Sequence, residues 1–360
     1  MSFMDRFRKL FKEDQVKRVV EPFDEARSGE APVLVLPEVH YFRLRLVEMF
    51  ITKKTWLGKT WYPAVHGLVK ATYAGADLEL PSVADTSKLF EEQAGTGDVV
   101  ARNFQLTPLL PYRGGAVEIL CGLFGMQGED YLGKVIKVLS DFSSLLAVPQ
   151  LSQALTVAGP LTAGVQDLFG AADGRMHLGH HDQWVSVIDP DHPADNAFRS
   201  GYVAILRAEE GEVDRGALRV EDQQLRVVRN GDSSPYTERD HMLIHVEART
   251  ERPDLARLST FWKPFKESIE ALGDGEDEKA KALIRQAIAT ARTSDDLTDA
   301  DRSRVTQRLK DLYLEAKDDL DFAGLVRDDS SLAERVTLRS SATAAREAGV
   351  PTLEELWQDL

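Results

Sequence analysis

Cysteine is nearly missing from this chain: Cys121 stands alone among 360 residues. One thiol closes no intramolecular disulfide, so the fold must rest on apolar burial and hydrogen bonds, and the composition fits a reducing compartment. Basic residues are also scarce, at 44 Lys+Arg against 59 Asp+Glu for a net charge of −15. The shortfall is uneven. Residues 1–180 carry 19 Lys+Arg against 21 Asp+Glu, and residues 181–360 carry 25 against 38. An acidic second half repels nucleic-acid phosphates and favours a basic protein surface, beside its ordinary use in solubility. No basic–aromatic cluster lies beyond the N-terminal segment, so nucleic acid is not an expected partner.

Charge of either sign is missing over 25 positions, from Phe142 to Gln166. Ser143, Ser144, Gln150, Ser152, Gln153, Thr156, Thr162 and Gln166 interrupt that run, and Pro149 and Pro160 cut it. It therefore falls short of the roughly 20 apolar residues of a spanning helix. Left exposed, such a stretch would aggregate. Burial is expected for Leu145, Leu146, Val148, Leu151, Leu155 and Val157, with triggered insertion into a membrane as the alternative.

Catalytic signatures are missing too. Gly58-Lys59-Thr60 has the tail of a P-loop, but Lys53 stands where its first glycine belongs and Trp61-Tyr62-Pro63 where its helix should begin. Gly95-Thr96-Gly97 lacks a third glycine, and no Gly-x-Ser-x-Gly elbow occurs. Cys121, between Leu120 and Gly122 in an apolar run, reads as a buried, inert thiol. The start, Met1-Ser2-Phe3-Met4-Asp5-Arg6, places charge where a signal peptide needs its apolar run.

What is present begins with an amphipathic segment over residues 1–27. Phe3, Phe7, Leu10 and Phe11 recur at helical spacing, with Arg6, Arg8, Lys9 and Lys12 on other faces. These four apolar residues are candidates for a docking or membrane-surface contact.

From residue 32 to 252 the pattern is β-rich. Pro32–Leu36 reads as a short strand. Phe42, Leu44 and Leu46, with Phe50 further along, alternate with polar neighbours, as do Val69, Ala71 and Tyr73. Ala74-Gly75-Ala76-Asp77 supplies a turn, and Arg113-Gly114-Gly115 reads as a hairpin joining strands 106–112 and 116–124. Pro108 and Pro111 put the first of those at an edge. A helical hairpin is expected at about residues 130–170, led by Leu132, Val135, Ile136 and Leu139. Strands return at 177–188, 201–206, 218–228 and 241–247, with a turn at Asn230-Gly231-Asp232.

After Pro253 the period becomes helical through 253–360. Leu283, Ile284, Ala287, Ile288 and Ala291 form one stripe; Val305, Leu309, Leu312, Tyr313, Ala316 and Leu320 form another, capped by Ser294 or Thr298. Gly273-Asp274-Gly275 separates helices, and Thr352 and Glu355 have capping-box spacing.

The chemistry with most support from residue type is metal binding. Six of the eight histidines lie between His177 and His245. Imidazole and carboxylate suit zinc or another first-row divalent ion, so His180, Asp182, Asp189, Asp191 and His192 are the candidate ligands. The spacing argues against convergence. On a strand, His180 and Asp182 share one face while His177 and His181 share the other. His241 and His245 have metalloprotease spacing, yet Met242 stands where the glutamate base belongs.

The reading is an α+β protein: an antiparallel β-rich body carrying a helical hairpin, then a helical C-terminal module. The expected function is a non-catalytic interaction or adaptor protein in a cytoplasmic complex, with a protein partner and no cofactor. A metal-dependent enzyme using residues 177–245 and a triggered membrane-acting effector using residues 142–166 are the alternatives. The expected location is cytoplasmic, with a peripheral membrane contact through the N-terminal helix or residues 142–166 as the variant.

Overall fold

The computed structural model describes residues 17–52, 55–56, 59–60, 62–85, 101–126, 138, 175–186, 196–253 and 259–328. The chain is α+β and divides into two compact units, Met1–Arg249 and Thr250–Leu360. The amphipathic candidates Phe3, Phe7, Leu10 and Phe11 and the uncharged run 142–166 lie outside the described residues. Of the expected hairpin region only Val138 is described; it is helical and buried in the main apolar cluster.

The first unit is built on two antiparallel sheets. One runs β1 (Val19–Pro22), β11 (Gly201–Leu206), β15 (His241–Arg249), β2 (Tyr41–Phe50) and β7 (Ala101–Gln105), with β8 (Leu110–Pro111) also on β2. The other runs β10 (Arg175–Val185), β9 (Ala116–Met126), β5 (Tyr62–Tyr73) and β6 (Ala76–Asp85). A two-stranded ribbon, β3 (Thr55–Trp56) with β4 (Lys59–Thr60), stands apart. One apolar cluster draws on both sheets, including Phe42, Leu44, Leu46, Ile205 and Ile244 from the first and Val65, Leu80, Ile119 and Leu123 from the second. Trp184 on β10 stacks on Phe198, which meets Phe42 on β2 edge-on, so aromatic contacts bridge the layers.

The opposite face of the first sheet is covered by a third layer, β12 (Leu218–Glu221), β13 (Gln224–Arg229) and β14 (Asp232–Pro235). Leu218, Val220, Leu225, Val227 and Tyr236 from that layer bury against Val47, Ala204, Leu206 and Leu243. The four-residue helix α1 (Glu25–Ser28) is capped by Asp24, which accepts from the Arg27 backbone N–H.

Four sequence expectations are corrected by this arrangement. Arg113-Gly114-Gly115 is not a hairpin, because β8 pairs β2 in one sheet and β9 pairs β5 and β10 in the other. Gly114 and Gly115 have φ of 84° and 77°, a left-handed pair that glycine adopts without strain, and they carry the chain between layers. Phe50 does not share the face of Phe42, Leu44 and Leu46. Opposite β15 the register skips Val47, so a bulge reverses the alternation. Beyond it Met49 and Ile51 enter the sandwich core, and Phe50 stacks on His241 on the other side. Residues 218–228 form a hairpin rather than one strand, turning at Asp222 and Gln223, both at positive φ. Pro32–Leu36 contributes a single bridge, Leu34 to Arg199.

The second unit is helical: α2 (Ser259–Gly273), α3 (Asp277–Arg292) and α4 (Asp299–Asp328), each touching the other two. Ala280, Ile284, Ala287 and Ala291 are the buried face of α3. Ile284, Ala287 and Ala291 meet Phe261, Trp262 and Phe265 of α2 and Val305, Leu309 and Leu312 of α4 around one core, while Ala280 packs with Ala271 and Leu272. Thr298 caps α4 through its Oγ1, which accepts from the Asp301 backbone N–H at 3.2 Å. No helix among the described residues is long and apolar enough to cross a membrane.

Candidate functional site

His180 and Asp182 do share a face of β10, with Nε2 and Oδ2 3.9 Å apart. Asp189, Asp191 and His192 lie outside the described residues. Among the described residues, no three His, Cys, Asp or Glu side chains gather as a metal set would require. His177 does not share the face of His181. The β9–β10 register is irregular between Met176 and Leu178, and the displaced His177 reaches the first sheet instead.

There His177 Nδ1 donates to Asp240 Oδ2 at 3.1 Å, and Arg207 donates to the same oxygen at 3.3 Å. Asp240 Oδ1 accepts from both the backbone N–H and the hydroxyl of Thr52, each at 2.7 Å. Burial pushes the Asp240 carboxyl up, but these hydrogen bonds from His177 and Thr52 outweigh it and hold the group well below the usual carboxylate range. Both oxygens are occupied by partners that stabilise the charge, which suits a structural anion rather than a proton acceptor.

The neighbouring Glu48 is buried, and its Oε2 accepts from the Leu225 backbone N–H at 2.6 Å. Leu225 pairs across the β12–β13 hairpin with Val220, and its carbonyl accepts from Tyr236 N. Glu48 thus supplies a partner for the buried N–H and ties the third layer to the first sheet. His241 Nδ1 donates to Arg239 O at 3.0 Å, leaving Nε2 facing Glu48 at 3.8 Å. Two further histidines each pair with a carboxylate distant in sequence: His181 with Glu118 at 2.8 Å, and His245 with Glu30 at 2.9 Å while stacked on Tyr202.

His180, Cys121, Gly67 and Ser82 form one rung across β10, β9, β5 and β6. A Cβ at Gly67 would come within 2.6 Å of Ser82 Oγ, so a larger residue there requires the serine side chain to move. Burial pushes the Cys121 thiol up to about 12 and the His180 imidazole down to about 4. A thiol and an imidazole both held neutral do not make a thiolate–imidazolium nucleophile.

The open feature lies in the helical unit. A groove of 510 Å³ is lined by Arg292 at the end of α3 and by Asp299, Arg302, Ser303, Thr306, Gln307 and Lys310, which share one face of α4. Arg302 is fixed: Nε and Nη2 donate to Ser294 O, and Nη1 to Asp299 Oδ1. Arg292 and Lys310 make no ion pair or side-chain hydrogen bond among the described residues. Thr306 is 4% exposed, and its Oγ1 has no partner among the described residues.

The sequence signal for this groove is Arg302, Arg304, Arg308 and Lys310 within nine residues of an acidic half. The sequence reading passed over it by treating that half as uniformly acidic. Comparison with protein-family models, curated proteins and solved structures finds no match to this chain, so its function is argued from its own residues.

Proposed function

We propose that the chain is a non-catalytic interaction protein, in which the β unit is a scaffold and the helical unit holds a protein partner. The observation that supports this reading is the groove between α3 and α4. It sets Arg292 and Lys310, which make no ion pair among the described residues, beside the fixed Arg302, in a unit that carries 17 Lys+Arg in all against 24 Asp+Glu. An acidic group of a partner meets the cations, while the surrounding acidic surface favours basic residues on either side of it. The histidine-rich region is a weaker candidate for chemistry, because Asp240, His181 and His245 are each engaged in internal pairs. We place the protein in a cytoplasmic complex, in keeping with its single buried thiol.

Quantitative co-purification with wild type and an Arg292→Glu/Lys310→Glu double variant tests the reading. A specific protein retained by wild type and lost by the folded variant supports it. Recovery of the same proteins in the same amounts by both would sink it.

A further inference from the structure

We draw no further inference here: the strongest candidate, the side-chain cluster of His177, Asp240, Arg207 and Thr52 where the start of β10 meets the ends of β2 and β11, belongs to the buried set already described, and among the described residues no group of metal ligands gathers there to say what it would bind.

Discussion

The two units differ in how deeply they draw charge into their layers. In the β unit, charged groups go inward and are consumed. Glu21 is buried between Arg27 and Arg215, Glu48 serves the Leu225 N–H, and Asp240 gathers Thr52, His177 and Arg207. In the helical unit an apolar core is flanked by a few buried charges, Arg252, Asp296 and Asp301, while many other charged residues stand on helix faces where exposed pairs contribute little to stability. A sheet layered on both sides has buried backbone and side-chain groups to satisfy, and carboxylates fastened by several donors do so at fixed geometry. Helices satisfy their own backbone, which frees the side chains of an outer face for a partner. On the proposed reading, the first unit serves as architecture and the second as the recognition surface.

Breaking the buried set at Asp240 should have the largest effect. Asp240→Asn keeps one carbonyl oxygen for Thr52 but removes the negative charge and sets an NH2 donor against His177 and Arg207, and should cost about 3–5 kcal/mol in chemical denaturation at pH 7. Hydrogen exchange should show the loss in β2, β11 and β15, with α2 to α4 keeping their protection. Equal loss in the helices would erase the contrast between the units. The same carboxylate, with its folded pKa depressed, contributes stability above the unfolded value of about 3.9 that is lost as pH falls below it. Asp240→Asn should remove that part of the acid sensitivity.

Buried histidine comes next. Burial pushes His66 down to about 3 and His180 to about 4, so both stay neutral in the folded state while their unfolded counterparts protonate below about pH 6.5. Stability should be full above that pH and fall toward pH 4 by about 1.4 kcal/mol per unit for each histidine. His180→Leu should flatten the slope by one such share; an unchanged slope in pH-dependent urea melts counts against a buried neutral imidazole.

A smaller loss, about 1 kcal/mol, is expected for Thr298→Ala, which removes the α4 cap. Exchange at the start of α4 should rise while the β unit is unaffected. The smallest stability change belongs to the groove. Arg292→Glu/Lys310→Glu should stay within about 0.5 kcal/mol of wild type, as surface changes do, so any large destabilisation would mean that these cations are structural after all.

Much of this fold was legible in the chain. The switch from alternation to helical period after Pro253, the Ala74-Gly75 turn, the stripe Ile284, Ala287, Ala291 and the Thr298 cap all carry their signal within a few residues. What escaped depends on partners far away. Nothing near Val47 announces a bulge, because its register is set against β15 about two hundred positions later. Gly114-Gly115 looks like any hairpin turn until the strands on either side are assigned to different sheets. Histidine partners such as Asp240 for His177 and Glu30 for His245 are equally remote, so clustering along the sequence suggested ligands where the fold makes separate pairs. The groove escaped for another reason: averaging charge over half the chain hid a local basic stretch in α4.

The bulge at Val47 also gives β2 a grammar of two clauses joined by one extra letter. Before it, even-numbered residues Phe42, Leu44 and Leu46 enter the sandwich; after it, odd-numbered Met49 and Ile51 do. Uninterrupted alternation over the same residues would drive Glu48 into the sandwich in place of Met49, while Met49 took over the site where Glu48 now meets Leu225. Length at this point is therefore as much a part of the message as residue type.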